Sequence, residues 1–177
     1  MLKKLIPILI ILILLSSCER KSGRKNLQGK ESEICICETQ LCDYCVQVVG
    51  ITDGDTFKGL TKDKEEIKYR IYGIDAPEKK QAFGTKSKEY LSTLIFGKTV
   101  GIKVDSKDRY ERLIVWVITP DGKDVSAEMI KAGLAWHYKQ YDDTKLYETL
   151  EAEAKDKHKG LWLDNESMAP WEFRKKK

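Results

Sequence analysis

Histidine is scarce in this chain: only His137 and His158 occur among 177 residues. Zinc clusters built on several histidines, and hydrolytic motifs that need a histidine base, therefore lack their parts. Net charge is also small, at +4, and would be +2 without Lys3 and Lys4. That balance excludes a wide basic face gripping duplex DNA, so any contact with a polyanion must come from a local groove. No apolar stretch reaches the ~18 residues needed to span a bilayer. Internal repeats are absent. What remains is an ordinary apolar content of 41%, suited to one globular domain with extensions.

The first residues read as an export signal. Lys3 and Lys4 precede the apolar run Leu5 to Leu15, whose length of about eleven residues suits a signal peptide core. Leu15-Ser16-Ser17-Cys18 then resembles the bacterial lipobox, in which the cysteine is lipidated and becomes the new N-terminus. Residues 1–17 are thus expected to be removed and Cys18 to carry a membrane anchor, placing the protein in the bacterial cell envelope outside the cytoplasm. Each buried CH₂ of an acyl chain contributes about 0.8 kcal/mol, so several chains hold firmly. Residues 18–33 are polar and read as a flexible tether. Residues 34–45 hold Cys35, Cys37, Cys42 and Cys45. An oxidising compartment favours disulfides there, in any of three pairings, over a four-thiolate metal knot. In either form they read as a staple on the edge of the domain spanning 46–174.

That domain begins as short strands with tight turns. Val46–Ile51, Thr56–Leu60 and Ile67–Ile74 are expected strands, with a turn at Asp53-Gly54. Ile67, Tyr69 and Ile71 share one face, and Lys68, Arg70 and Tyr72 the other. Phe83–Phe96 has helical spacing and Gly97 is placed to stop it. Val100–Val104 and Leu113–Ile118 are further strands. Ala127–Ala132 reads as a short helix capped by Ser126, and Leu134–Tyr138 as extended. Thr144–Lys159 reads as an amphipathic helix with Leu146, Leu150 and Ala154 inward. Trp162 and Trp171 are expected to fold the tail back onto the domain, while Arg174 to Lys177 reads as a solvated basic end. Five strands with a helix after the third, and about three helices in all, predict an α+β fold dominated by a small Greek-key β-barrel of the OB type.

The chemistry gathers between Val48 and Glu78. Asp55 and Asp75 stand at strand ends, where carboxylates can converge on one calcium or magnesium ion, with the Ala76 carbonyl as a third ligand. Glu78 can orient or deprotonate a water beside that ion. Arg70 and Arg112 are candidate phosphate clamps, because the planar guanidinium fork meets two oxygens of a phosphodiester as charge builds on them. One tension stands: Arg70 and Asp75 have opposite parity, so a regular strand would send them to opposite faces. A bulge or twist near Gly73 is required to reunite them. Other hydrolytic designs fit worse. His137-Tyr138-Lys139 begins like a phospholipase D-type signature, but Thr144 stands at its aspartate position and no second copy exists.

In series, I-x-D-G-D-T, R-x-x-x-x-D-x-P-E, D-R-Y-x-R, a G-L-A segment and K-G-L-W resemble the thermonuclease (micrococcal nuclease-like) family over roughly Val46 to Trp162. That resemblance implies an OB-fold endonuclease, dependent on Ca²⁺, cutting DNA and RNA with a preference for single strands and leaving 3′-phosphates; the protein is expected to be a monomer. It implies calcium on Asp55, Asp75 and the Ala76 carbonyl, with Asp53 supporting from behind. Glu78 would handle the water, Arg70 and Arg112 the phosphate, and Tyr110 and Arg109 the substrate. Two departures are visible: Ala76 where the family commonly has threonine, and Glu111 where it commonly has glycine. A rival reading is an OB-fold lipoprotein that binds single strands without cutting.

Overall fold

A computed structural model describes residues 42–164 and 166–176, all within one compact unit, Glu33–Lys177. The elements are β1 (Tyr44–Ile51), β2 (Thr56–Leu60), β3 (Glu66–Ile71), β4 (Ile74–Asp75), α1 (Gly84–Ile95), β5 (Thr99–Lys107), β6 (Leu113–Ile118), α2 (Val125–Lys131), β7 (Trp136–His137), α3 (Lys145–Asp156) and α4 (Pro170–Lys175), with a 3-10 turn at Gly160–Leu163 before α4. Five strands close a barrel in the order β1-β2-β3-β6-β5, and β4 and β7 form a separate two-stranded sheet. All barrel neighbours are antiparallel except β3 and β6, which run parallel. This is the expected OB-type barrel in an α+β setting. No helix among the described residues is long and apolar enough to cross a membrane.

Alternation builds the barrel. In β3, Tyr69 and Ile71 are fully buried while Lys68 and Arg70 face outward, as the period of two requires. Val46, Val48, Phe57, Val100, Ile102, Val115 and Val117 fill the rest of the interior. Each such side chain contributes about 1.5–3 kcal/mol by leaving water. One end of the barrel is closed by helices: Leu91 and Ile95 of α1, Met129 and Ile130 of α2, and Tyr147 of α3 join the same core.

The structure corrects four sequence readings. The third strand does not run unbroken from Ile67 to Ile74: β3 ends at Ile71, and Tyr72-Gly73 turns the chain out of the barrel into β4. The cap of α2 is Asp124, whose carboxylate accepts the N–H groups of Ser126 and Ala127, so Ser126 is inside the helix and donates instead to the Tyr72 carbonyl at 2.8 Å. Leu146 of α3 is exposed, and the inward positions are Tyr147, Glu151 and Ala154, with Leu150 packed against the core. Finally, Arg174 is not a solvated tail residue: it lies in α4, a short helix beyond the three expected, and reaches the acidic site. The tail itself packs back as expected, with Trp136 between Trp162 at 4.3 Å and Trp171 at 5.6 Å. Cys42 and Cys45 each take part in a disulfide. Cys45 already lies in β1, opposite Gly101 of β5. The expected signal segment, Cys18, the expected tether, Cys35 and Cys37 lie outside the described residues.

Candidate active site

The turn at Gly73 settles the parity tension. Gly73 has φ of +73°, a left-handed conformation that costs glycine little. It redirects the chain so that Ile74 and Asp75 pair with His137 and Trp136 of β7. The β7 strand is braced in turn: His137 is buried, its Nε2 lies 2.7 Å from Asp142 Oδ2, and its N–H donates to Glu151 Oε1 at 3.1 Å. His137 is therefore a structural residue and does not line the cleft. With β4 held this way, Arg70 on the outer face of β3 meets Asp75: Nη2 donates to Asp75 Oδ1 and to the Ile74 carbonyl, each at 3.2 Å.

Arg70 also meets Asp55. Its Nη1 lies 2.6 Å from Asp55 Oδ2, so one guanidinium bridges the two aspartates. The second Asp55 contact on Oδ2 is the Ala76 N–H at 3.0 Å, and Oδ1 accepts the Thr56 hydroxyl at 2.9 Å. Burial pushes the Asp55 carboxyl up, but Arg70 and the hydrogen bonds outweigh it, so Asp55 stays below the usual carboxylate range. Burial raises Asp75 in spite of its arginine partners. Asp53, whose carboxylate accepts the Asp55 N–H at 3.1 Å, is pushed up to about 6 by burial and then by the Asp55 charge. Three aspartates thus crowd one end of the barrel.

Arg112 reaches the same cleft from the β5–β6 hairpin. Asp108 builds that loop: Oδ1 accepts the backbone N–H groups of Tyr110 and Arg112, and Oδ2 accepts Arg112 Nε at 2.8 Å. Glu111 sits in the loop with φ of +63°, the left-handed conformation that favours glycine. Its side chain pairs with Lys107 and does not line the cleft. Arg112 Nη1 donates to Thr56 Oγ1 at 3.3 Å, and Thr56 in turn bonds Asp55. Tyr110 is exposed, with the Arg109 guanidinium 4.8 Å and that of Arg112 5.6 Å from its ring centre.

All nine side chains singled out from sequence line one cleft of about 1040 Å³: Asp53, Asp55, Arg70, Asp75, Ala76, Glu78, Arg109, Tyr110 and Arg112. Sequence reasoning missed three participants. Thr56 and Asp108 had a signal, since each is the end residue of a motif already singled out. Arg174 had none: it donates to Asp75 Oδ2 at 2.7 Å, Asp75 Oδ1 at 3.2 Å and Glu78 Oε1 at 3.0 Å from the end of the chain.

The donor set suits a hard divalent cation. Asp55 and Asp75 are buried oxygen donors gathered on one point, and crowding with Asp53 leaves negative charge that a cation would relieve. Among the described residues no group of three or more His, Cys, Asp or Glu has metal-holding geometry. The two carboxylates would therefore be completed by carbonyl and water oxygens, a set that calcium or magnesium accepts and zinc disfavours.

A five-stranded OB-type barrel with an acidic pair and flanking arginines at its rim defines a class: the barrel nucleases. The particular family follows from comparison. Residues 68–164 match the model of the staphylococcal nuclease homologue family, and the chain belongs to that family. It is 44% identical over 129 residues to an "Uncharacterized endonuclease" of Haemophilus influenzae, covering 73% of this chain and 72% of that protein. A protein of the same description from Escherichia coli O157:H7 is 38% identical over 138 residues, covering 77% and 90%. The "Micrococcal nuclease" of Shigella flexneri is 35% identical over 144 residues, covering 75% and 82%.

Proposed function

We propose that this protein is a calcium-dependent endonuclease that hydrolyses DNA and RNA, prefers single strands, and leaves 3′-phosphates. Membership of the staphylococcal nuclease homologue family makes it a hydrolase of phosphodiester bonds. The observation that carries the finer reading is the convergence of Asp55 and Asp75 on Arg70, with Glu78 and Arg112 on the same cleft.

Asp55, Asp75 and the Ala76 carbonyl would hold the calcium ion. When bound, the ion supplies positive charge to draw in a phosphate oxygen and to make a neighbouring water more acidic. Glu78 takes the proton from the attacking water. The water oxygen bonds to phosphorus, the bond from phosphorus to the 5′ oxygen breaks, that oxygen leaves with the bonding pair and takes up a proton from solvent, and the phosphate stays on the 3′ side. Arg70 has five N–H donors and directs three of them at Asp55, Asp75 and Ile74, which leaves two for the substrate. Arg112 likewise has donors beyond those on Asp108 and Thr56. Both forks can stabilise the equatorial oxygens as negative charge accumulates there. Tyr110 and Arg109 would contact the flanking nucleotide. A module that only bound single strands would have no use for the water-handling Glu78 beside two metal ligands.

We further propose that the nuclease is displayed outside the cytoplasm by a lipid on Cys18, with residues 18–33 as the tether and the cysteine staple at its foot. The test is degradation of denatured DNA by the full chain with calcium, its loss in EGTA, and end analysis of the products. No cutting by folded protein in calcium would refute the enzyme reading, and 5′-phosphate ends would refute the assigned direction of cleavage.

A further inference from the structure

Arg174 is the one cleft-lining residue that comes from α4. Its guanidinium grips both oxygens of Asp75 and one of Glu78, at 2.7, 3.2 and 3.0 Å. These are the carboxylates assigned to the metal and to the water. The contact is not a stray surface ion pair, because α4 is seated by packing. Trp171 stacks parallel on Tyr138 at 5.3 Å, and Ala169 and Pro170 are buried. The amide of Gln81 joins the two segments, accepting the Glu78 N–H at 3.1 Å and donating to the Met168 carbonyl at 2.6 Å. The tail is thereby registered against the Asp75–Glu78 turn.

The two arginines on Asp75 differ in freedom. The Arg70 side chain is 14% exposed and clamped between aspartates, whereas that of Arg174 is 41% exposed. Arg174 can swing out without opening the core. A fixed positive charge on both Asp75 oxygens also opposes any cation arriving there, by simple Coulomb repulsion and by occupying lone pairs.

We propose that Arg174 is a positioning residue, a tethered counter-ion that holds Asp75 and Glu78 in the cation-free enzyme and must release Asp75 before that carboxylate serves the metal. Through Arg174, α4 sets the calcium concentration at which the enzyme becomes active. This inference rests on the calcium nuclease reading above.

The test is calorimetric titration of calcium into the full-length wild type, Arg174→Gln, Arg174→Lys and, as a charge-matched control, Lys175→Gln. Arg174→Gln is expected to bind calcium about tenfold more tightly, since an opposing charge within contact distance is removed. Arg174→Lys should fall between, because an ammonium keeps the charge but cannot fork onto both oxygens. Lys175→Gln should stay within about twofold of wild type, since Lys175 carries the same charge without touching the carboxylates. The Arg174→Gln protein should also lose melting temperature in EGTA and recover it in calcium, and its half-maximal activation should move to lower calcium. Affinity equal to that of the Lys175→Gln control overturns the inference. So does unchanged affinity with kcat at saturating calcium reduced more than about tenfold, which marks a group acting on the transition state. A wild type that neither binds calcium nor cuts overturns the underlying reading and this inference together. A wild type that does both beside unmoved Arg174 variants overturns this inference alone.

Discussion

Gly73→Ala probes the joint on which the whole site depends. Two costs add at this position. An L side chain at φ of +73° sacrifices about 1–2 kcal/mol of conformational energy, partly offset by about 0.4–1 kcal/mol because alanine restricts the unfolded chain. The new Cβ would also stand 2.9 Å from Tyr147 Cε2 and 3.3 Å from Asp142 Cγ. Neither neighbour can yield freely. Tyr147 is buried, with its hydroxyl 2.6 Å from Asp124, and Asp142 is held by His137 at 2.7 Å. Overpacking of this kind costs about 1–3 kcal/mol. The expected loss is therefore about 2–4 kcal/mol, read as a fall in melting temperature and in urea midpoint with an unchanged m-value. Gly97→Ala is the internal control. Gly97 has φ of +74° but nothing within 4 Å of a built Cβ, so it should lose only about 1 kcal/mol. The difference between the two variants isolates the clash. Gly73→Ala should also weaken calcium binding, because Asp75 lies two residues beyond the displaced turn. Equal destabilisation of the two variants, or a loss below about 0.5 kcal/mol at Gly73, would refute the reasoning.

Three further outcomes are expected. Arg70→Ala and Arg112→Ala should each lower kcat by about 10²–10³, as loss of a transition-state donor usually does, and a fall of less than tenfold in both would remove them from that role. Asp108→Asn should reduce turnover by releasing Arg112, with a smaller effect on calcium affinity, because Asp108 touches the arginine and not the acidic pair. The same variant has a pH signature. Burial raises the Asp108 carboxyl, but Arg112 and backbone N–H bonds bring it below its ordinary 3.8. Its stabilising contribution is therefore complete above 3.8 and lost as pH falls through the lowered value, so the wild type and Asp108→Asn melting curves should converge in strong acid and separate towards neutrality.

Local rules made much of this molecule legible. Alternation in Ile67, Tyr69 and Ile71, and the turn residues between runs, are properties of a few consecutive positions, and they specified the barrel strands. The site carboxylates were legible for a related reason: Asp55 sits in the bend before β2, and Asp75 and Glu78 sit at and just after the end of β4. What escaped depends on chain segments far apart. Nothing within α3 distinguishes Leu146 from Tyr147 as the inward residue; the choice is made by the Gly73 turn and by Asp124, which the tyrosine touches. Ser126 and Asp124 are both good caps, and the carbonyl of Tyr72 decides between them by claiming the serine hydroxyl. Arg174 stands in a run of basic residues that a solvated tail would also have, and it is the seating of α4, with Trp171 on Tyr138 and Gln81 on the Met168 carbonyl, that brings it to Asp75.

The same distances explain why the site is assembled from separately braced parts. Arg70 belongs to the barrel, Asp75 to the small sheet outside it, and Arg112 to a hairpin loop that Asp108 shapes. Each part has its own local support: the β3 ladder, the His137–Asp142 brace behind β7, and the Asp108 hydrogen bonds. The barrel alone does not place Asp75, because the chain leaves it at Ile71. Local opening of the β4–β7 sheet would therefore separate the acidic pair while the barrel stayed closed, since only two residue pairs join those strands. Two opposite charges on Arg70 hold that arrangement shut from the front. Asp53 and Glu78 bring to four the carboxylates that Arg70 and Arg174 face, which leaves negative charge in excess. On the proposed calcium reading, that excess would let one region both attract a divalent cation and retain a tethered arginine until the cation arrives.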